Sequence, residues 1–600
     1  MTRRADRQRG YPYANRTAQY QTHGTMDAVS DQFPLYRPEL ERDACGIALV
    51  ADALGRPSHE TVERGLLALN RLSHRGATGG GTHAIDGAGI LTDIPWALLE
   101  ATSDGRAIAP SPDRVRALAT LFLPRDAVRE AQQLIDRVVR AAGWEPNVWR
   151  QVPVRTDVLA GDARASEPAI YHLVLSTSAA AEQPDLSLLR IRVRLLHETA
   201  AAGLRGVAVA SISRRTVVYK ALVEPKDLPG YFPDLADARF VSGVALAHQR
   251  FSTNTLARWD LSQPFHFIAH NGEINTISGN RQWMRARQLD EAALPGWSRE
   301  AGALIPTTGS DSESLDAAVA LLCANGLDLP LAMTRLVPPA WEKDPELTPD
   351  EAAFYECQAA VSEPWDGPAS LAFSDGRVSG VRLDRNGFRP ARFILTRDQY
   401  LLAGSETGLF DLEERDILKQ GRLGPGQMIF VDREANTIQH GHEISRAFAS
   451  ARPYRLWVRR LVRHFSEETH ALPALPAQAA GPASQGGEAD QQRDLIIDQR
   501  LFGVGIVEHG VQPGPPRIVH EVWIHFESDR TARKPLQQLP RAEAQVNGRP
   551  AHFAQHVLKV EVLDCPSQGI AAPAQLPRRI VTVEERFGSH GSHPRANRKR

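Results

Sequence analysis

The chain has 600 residues, 42% hydrophobic and 24% charged, a composition typical of a globular protein with a sizeable core. Its 70 basic and 71 acidic residues give a net charge of -1, so charge offers no case for binding nucleic acid or a membrane surface. The four cysteines form no CxxC pair, which argues against a metal site, a disulfide framework or an iron–sulfur motif and favours a cytoplasmic location.

Residues 1–44 are polar and unpatterned, and they are predicted to be a leader or propeptide. Either Met1 or Met26 can be the true start of the chain. The basic N-terminus is followed by no apolar segment of the kind that a secretory signal requires. No apolar run reaches the roughly 18–20 residues that span a bilayer.

Residues 45 to about 100 are predicted to alternate strand, helix and strand. Cys45 stands directly before the apolar run 46–50, which is typical of a buried strand. Apolar residues at helical spacing predict a helix over 59–74, with Gly76 closing it as the residue after its C-cap. A turn at 86–89 then leads into a further strand.

The rest of the chain divides by pattern and composition. A helix is predicted over 127–142 and strands over 170–175, 207–213 and 241–247, and turns at 374–376 and 385–387 punctuate a strand-rich stretch, 360–435. We predict one domain over 45–457, a connector and low-complexity linker over 458–492, and an unassigned C-terminal region over 493–600 with strand-like pieces at 518–526 and 557–562.

Cys45 is the first candidate for chemistry. If the leader is removed, this residue supplies a thiol nucleophile and, as its own free α-amine, a base. The unperturbed pKa values are about 8.5 for the thiol and about 7.7–8 for the amine, so both groups can act near neutral pH. Taken alone, a cysteine before a strand is more often a small buried hydrophobe.

Three later segments supply what a cysteine nucleophile needs. Arg250 follows the strand at 241–247, where its guanidinium can fork onto a carboxylate, although a surface arginine in a turn fits the same pattern. Asn271 and Gly272 follow another apolar run and offer a side-chain amide and a backbone N–H for an oxyanion hole, with a plain hairpin turn as the alternative.

The third segment, 307–316, reads as a helix start. Ser310 and Glu313 match a capping box, which explains the segment without any function. The functional interpretation gives Asp311 a second task, which is to bind the ammonium of an amino-acid substrate facing the Arg250 clamp. These segments together predict a site for a free α-amino acid whose side-chain carbonyl is attacked by Cys45.

In these motifs the chain resembles the N-terminal glutamine amidotransferase domain of the glutamate synthase large subunit, a class II amidotransferase. The resemblance runs from about Asp43 to about Trp457. The matching segments, in chain order, are 45–47, 72–77, 86–90, 248–255, 263–265, 270–276, 279–280, 309–315, 384–390, 405–408 and 421–428.

The resemblance implies a fold and a set of roles. The fold is α+β, a four-layer αββα N-terminal-nucleophile hydrolase sandwich. Cys45 is the nucleophile, Asn271 and Gly272 form the oxyanion hole, and the residues that bind glutamine are Arg250, Phe251, Thr253 and Asp311. A departure occurs at His266, where the family usually has arginine.

The resemblance also implies what lies beyond this domain. FMN and an iron–sulfur cluster are expected only on a synthase domain or partner chain, where 2-oxoglutarate would take up the ammonia, and no cofactor is expected in this chain. Two alternatives stay open. One is a non-catalytic, orphaned amidotransferase-like module that binds or regulates, and the other is a class II amidotransferase with a different ammonia acceptor.

Overall fold

The computed structural model describes residues 45–76, 87–103, 111–159, 161–250, 257–288, 304–306 and 309–462, together with the backbone of five short strands between 520 and 585. Some predicted features lie outside the described residues: the leader, Phe251, Thr253 and residues 463–492 of the linker.

The strands are short, and those up to residue 440 are mostly buried. In chain order they are β1 (Gly46–Asp52), β2 (Ala88–Asp93), β3 (Arg114–Leu123), β4 (Glu145–Gln151), β5 (Ala169–Ser178), β6 (Ala208–Ser213), β7 (Thr216–Ala221), β8 (Val244–Gln249), β9 (Ile268–Gly272), β10 (Ala369–Ser374), β11 (Val378–Leu383), β12 (Arg392–Thr396), β13 (Tyr400–Gly404), β14 (Ile417–Arg422), β15 (Met428–Asp432), β16 (Thr437–His440), β17 (His520–Val522), β18 (Gln545–Val546), β19 (Arg549–Pro550), β20 (Leu558–Asp564) and β21 (Arg579–Glu585).

The helices fall between these strands and after them. They are α1 (His59–Arg71), α2 (Trp96–Ala101), α3 (Val128–Ala141), α4 (Gly161–Ala165), α5 (Pro184–Ala201), α6 (Leu228–Tyr231), α7 (Ile277–Gln288), α8 (Asp311–Ala324), α9 (Leu329–Leu336), α10 (Pro349–Val361), α11 (His442–Ser450) and α12 (Tyr454–Leu461).

Two antiparallel sheets form the centre of the fold. The first has seven strands in the order β14-β12-β13-β1-β8-β2-β7, and the second has five in the order β16-β15-β11-β10-β9. All seven residues of β1 are buried, because β1 lies inside the first sheet and apolar side chains pack on both of its faces. That position explains why its sequence is a continuous apolar run rather than an alternating one.

The packing of side chains shows four layers. Alternate residues of β1, such as Ile47 and Leu49, join residues of the second sheet in one apolar cluster between the sheets. Ala48, which lies between them in the strand, faces the opposite side of the sheet and joins a cluster that contains residues of α1. The outer face of the second sheet packs on α8 and α9. The predicted four-layer αββα sandwich is therefore confirmed. Truncating a core residue such as Leu49 to alanine costs about 2–5 kcal/mol of stability in cores of this kind.

A further antiparallel sheet, in the order β4-β5-β3-β6, was not anticipated from the sequence. One of its faces packs on α3 and α5, and the other contributes Leu118 and Phe122 to the cluster outside the seven-stranded sheet. After residue 519 the described backbone forms a three-stranded sheet, β17-β20-β21, and the pair β18-β19.

Several local predictions are confirmed and two are wrong in detail. The helix predicted over 59–74 is present but ends at Arg71, and Gly76 has φ −94°, so Gly76 does not close it in the left-handed conformation. A Cβ at Gly76 would lie 3.1 Å from the side-chain amide carbon of Gln249, so the glycine leaves room for that side chain to pack. The capping box is half formed: Ser310 accepts from the Glu313 N–H at 3.0 Å, but among the described residues no return bond from the Glu313 carboxylate is present.

Candidate active site

Cys45 lies at the end of the seven-stranded sheet where β1 begins and its antiparallel neighbour β8 ends. The register pairs Gly46 with Gln249, so Cys45 and Arg250 are the next residues on the two strands. The Arg250 N–H donates to Gly87 O at 3.0 Å, which continues the β2–β8 ladder by one residue. Arg250 is 5% exposed, so it is not the surface arginine that the pattern alone also allowed.

Strand alternation decides which way these side chains face. On β1, Ile47 and Leu49 face the space between the two sheets, and on β8 Leu246 does the same. Because side chains alternate with a period of two, Cys45 and Arg250 are on that same inner face. The guanidinium and the thiol are therefore brought together at one end of the space between the sheets.

The second sheet brings Asn271 and Gly272 to the same end. The His248 Nε2 lies 3.2 Å from His270 O, which joins the end of β8 to the end of β9 across the two sheets. Ala269 is in the core between the sheets, so Asn271, two residues on, faces inward as well. Asn271 is 2% exposed, and its Oδ1 has no hydrogen-bond partner among the described residues.

The N–H of Gly272 is directed away from the sheet. Asn271 is paired with Ser370 and Gly272 with Ala369, and the Glu273 N–H donates to Pro368 O at 3.2 Å. Hydrogen-bonded and non-hydrogen-bonded pairs alternate along an antiparallel ladder, so the Gly272 N–H points to the open edge of β9. This edge strand leads toward α7 rather than folding back, so the hairpin alternative for Asn271-Gly272 is wrong.

Gly272 has to be glycine at this position. Its φ is +139°, a region that favours glycine, and a Cβ would lie 2.9 Å from the carbonyl carbon of Pro368 and 3.1 Å from Ala369 Cα. The close approach of the two strand ends therefore fixes the direction of the Gly272 N–H.

Asp311 is held beside this strand end by its own helix start. It is the first residue of α8, one carboxylate oxygen accepts from the Ile274 N–H at 2.8 Å, and the other accepts from the Ser312 N–H at 2.7 Å. The Ser312 hydroxyl also donates to Asp311 at 3.2 Å and lies 2.8 Å from His270 Nδ1. The carboxylate thus has a fixed orientation next to the segment that follows Gly272.

Two buried histidines support the strand end as neutral side chains. Burial lowers the pKa of His248 to about 3, and burial also lowers the pKa of His270. The Gln263 side-chain amide also fixes this strand: its Oε1 accepts from the His270 N–H at 2.7 Å and its Nε2 donates to His270 O at 3.3 Å. These supports were not found from the sequence, because the partners lie in separate motifs.

The rim of the site joins two more of the matching segments. Ser405 brackets the residue after Gly46: its Oγ accepts from the Ile47 N–H at 3.3 Å and its N–H donates to Ile47 O at 3.0 Å. Its neighbour Glu406 accepts from Arg75 at 2.6 and 2.9 Å. This ion pair links the segment after α1 to the segment after β13, beside the start of β1. Arg75 and Glu406 lie in the matching segments 72–77 and 405–408, for which the sequence alone indicated no role.

The structure thus brings five of the seven predicted site residues to one end of the sandwich: Cys45, Arg250, Asn271, Gly272 and Asp311. Phe251 and Thr253 lie outside the described residues. Among the described residues no group of three or more His, Cys, Asp or Glu side chains could hold a metal ion. No helix in the described part of the chain is long and apolar enough to cross a bilayer.

The four-layer fold is that of the N-terminal-nucleophile hydrolases. A model of the family described as "Glutamine amidotransferases class-II" matches residues 45–457. The chain therefore belongs to the class-II glutamine amidotransferases.

Its curated relatives include glutamate synthases. It is 39% identical over 451 residues to ferredoxin-dependent glutamate synthase 2 of Synechocystis sp., covering 73% of this chain and 29% of the relative. It is 36% identical over 434 residues to the glutamate synthase [NADPH] large chain of Azospirillum brasilense, covering 70% and 28%. With the glutamate synthase [NADPH] large chain of Bacillus subtilis it shares 34% over 477 residues, covering 78% and 30%. The chain spans less than a third of the length of these relatives.

Among solved structures, one similar chain is the glutamine phosphoribosylpyrophosphate amidotransferase from B. subtilis complexed with ADP and GMP. The TM-score is 0.29 at 13% sequence identity, covering 66% of this chain and 49% of that one.

Proposed function

We propose that this chain hydrolyses L-glutamine to glutamate and ammonia through a thioester on Cys45. The observation that carries the proposal is the register at the end of the sandwich. The pairing of Gly46 with Gln249 and the contact between His248 and His270 support it, because Cys45, Arg250 and Asn271 follow directly on the strands that these contacts join.

Substrate binding follows from the charges of the site. Arg250 pairs with the α-carboxylate of glutamine by two parallel hydrogen bonds, and Asp311 accepts from its α-ammonium. A free amino acid therefore has both of its charges matched, and its side-chain amide extends toward Cys45. Phe251 and Thr253, on the segment after Arg250, remain part of this proposal.

The proposed reaction needs only these groups and water. The Cys45 sulfur attacks the side-chain carbonyl carbon while the thiol proton passes to the free α-amine, directly or through water. The Asn271 amide and the Gly272 N–H stabilise the oxyanion, and each such donor is typically worth about 2.7–4 kcal/mol. The carbon–nitrogen bond then breaks, the α-ammonium returns its proton to the departing ammonia, and water hydrolyses the thioester to release glutamate.

Removal of the predicted leader belongs to this proposal, because a residue in a peptide bond has no free α-amine. The cytoplasmic location belongs to it too, since cysteines stay reduced as free thiols in that compartment. We further propose that 2-oxoglutarate on a synthase domain or partner takes up the ammonia, and that FMN and an iron–sulfur cluster belong there, as the resemblance to the glutamate synthase large subunit implies.

The test combines intact mass with a glutaminase assay. We expect a mature chain that begins at Cys45, and Cys45→Ala is expected to lower turnover by at least 1,000-fold, about 4 kcal/mol of barrier. Cys357→Ala, which removes a free thiol on α10, is the matched control and should leave turnover unchanged. Turnover retained by Cys45→Ala would refute the proposal, and calorimetric binding of glutamine without turnover would support a binding module instead.

A further inference from the structure

A cavity of about 480 Å³ lies at the end of the sandwich opposite Cys45. Its walls come from α5, the second half of α8, the start of α9 and the turn between β10 and β11. Phe267, which precedes β9, also lines it. The size is that of a small-molecule site, and apolar residues such as Leu188 and Leu189 provide one wall.

The cavity is also lined by three arginines and three aspartates: Arg192, Arg215, Arg377, Asp185, Asp328 and Asp375.

The aspartates already have partners. Asp185 accepts from Arg214 at 2.7 and 2.5 Å, and Asp328 accepts from Arg377 at 2.7 Å. Asp375 accepts two backbone N–H groups of its own turn at 2.8 and 2.7 Å. The carboxylates are therefore stabilised within the protein and leave little unmatched negative charge for a ligand cation.

Arg192 is less fully paired than these aspartates. Its side chain is only 12% exposed, and in the described part of the chain its one hydrogen-bond partner is Asp316, at 3.4 Å. A guanidinium has five N–H donors, so most of those on Arg192 are available to the cavity that it lines. Burial lowers the pKa of the neighbouring His266 to about 4, with Arg192 adding to the effect, so this histidine is neutral at pH 7.

We propose that this cavity binds a small organic carboxylate, paired with the Arg192 guanidinium and with Arg215 at the rim. Nothing in the proposed glutamine chemistry uses these residues. A carboxylate matches the planar fork of a guanidinium with two parallel hydrogen bonds, and it would replace one long contact with two short ones. The apolar wall suits the carbon skeleton of such a ligand.

The cavity is connected to the active site through Asp316. The carboxylate that contacts Arg192 also accepts from the Phe267 N–H at 2.7 Å and the Ile268 N–H at 3.3 Å, where β9 begins. The same strand ends at Gly272, about 13 Å further along at 3.3 Å per residue. Asp316 is on α8, the helix that begins with Asp311. A ligand that draws Arg192 away from Asp316 therefore acts on both elements that carry substrate-binding and oxyanion groups.

Calorimetric titration of the full chain with L-glutamate and with 2-oxoglutarate tests the binding, and comparison of the two shows whether an α-amine contributes. We expect Arg192→Gln to weaken binding at least ten-fold. Arg194→Gln on the same helix, an exposed residue paired with Glu198, is the matched control and should bind as the parent does. Ala324→Leu adds three carbon atoms at the cavity wall and leaves Arg192 and Asp316 in place, so it should also weaken binding.

The position of the bound ligand is checked with Arg250→Gln, which should retain this binding. Binding that survives Arg192→Gln but is lost in Arg250→Gln would place the ligand at the glutamine site and overturn the proposal, as would the absence of binding at ligand concentrations up to about 10 mM.

The kinetic consequence rests on the proposed glutaminase activity, whereas the titration does not, so the two can fail separately. We expect a ligand concentration that saturates the parent to lower the glutaminase kcat several-fold in the parent and in Arg194→Gln, and to lower it less in Ala324→Leu. Binding at Arg192 with no change in kcat would overturn the connection through Asp316.

Discussion

Replacing Gly272 by alanine is the sharpest test of the proposed oxyanion hole. The new Cβ would lie 2.9 Å from the Pro368 carbonyl carbon, whereas ordinary contacts between carbon atoms are about 3.5–4.0 Å. The ends of β9 and β10 must therefore separate by roughly 1 Å. A displacement of that size in a reacting group can lower a rate about 100-fold. Complete loss of the Gly272 donor would correspond to about 100- to 1,000-fold in kcat.

The assay is the steady-state rate of glutamine hydrolysis, with thermal unfolding measured on the same samples. We expect Gly272→Ala to lower kcat by about 100-fold or more while KM changes little, because in the proposed mechanism Arg250 and Asp311 hold the α-carboxylate and the α-ammonium of glutamine and the Gly272 N–H contacts only the reacting carbonyl. Gly143→Ala is the matched control. Gly143 also has a positive φ, +78°, but its Cβ would meet nothing within 4 Å. A folded Gly272→Ala protein with kcat within two-fold of the parent would refute the reasoning.

Two further predictions concern charge. Arg250→Lys should raise the KM for glutamine by on the order of 10- to 100-fold with a smaller effect on kcat, because an ammonium cannot form the forked pair, and an unchanged KM would contradict this role. Stability should fall as the pH is lowered from 7 to 5, because burial depresses the pKa of His172 and His248 to about 3 and of His266 to about 4, below the unfolded value of 6.5. Each contributes up to about 1.4 kcal/mol per pH unit in that window, and a Tm that is constant from pH 7 to 5 would contradict their neutrality.

The features that could be predicted from the sequence are strands, helix starts and turns, which short segments encode. The run after Cys45, the helix start at Ser310 and the turn at 374–376 are set by neighbouring residues, and the structure has them. Strand alternation then brings Cys45, Arg250 and Asn271 onto one inner face, although the sequence alone did not show which faces meet.

What could not be predicted depends on residues far apart in the chain. Ser405 contacts Ile47 across 358 positions, and no local pattern marks such a pair. The role of Gly76 was misread for the same reason: glycine at a helix end suggests a left-handed cap, but here the constraint is the packing of Gln249 from another strand. Long-range packing chose between local alternatives that the sequence left open.

Gln263 offers a test of that long-range packing through a substitution of one atom. Gln263→Glu keeps an acceptor for the His270 N–H but places a second oxygen against His270 O, which now accepts from the Gln263 amide at 3.3 Å. An unpaired buried polar group costs about 1–3 kcal/mol, so we expect lower stability by that amount and a kcat reduced roughly ten-fold or more, since Asn271 follows directly. Gln358→Glu is the matched control, because its Oε1 only accepts, from Arg335 at 2.8 Å, and a carboxylate can do the same. Equal kcat in the two variants would show that the end of β9 is positioned without Gln263, and that the oxyanion donors depend on the Gly272 contact alone.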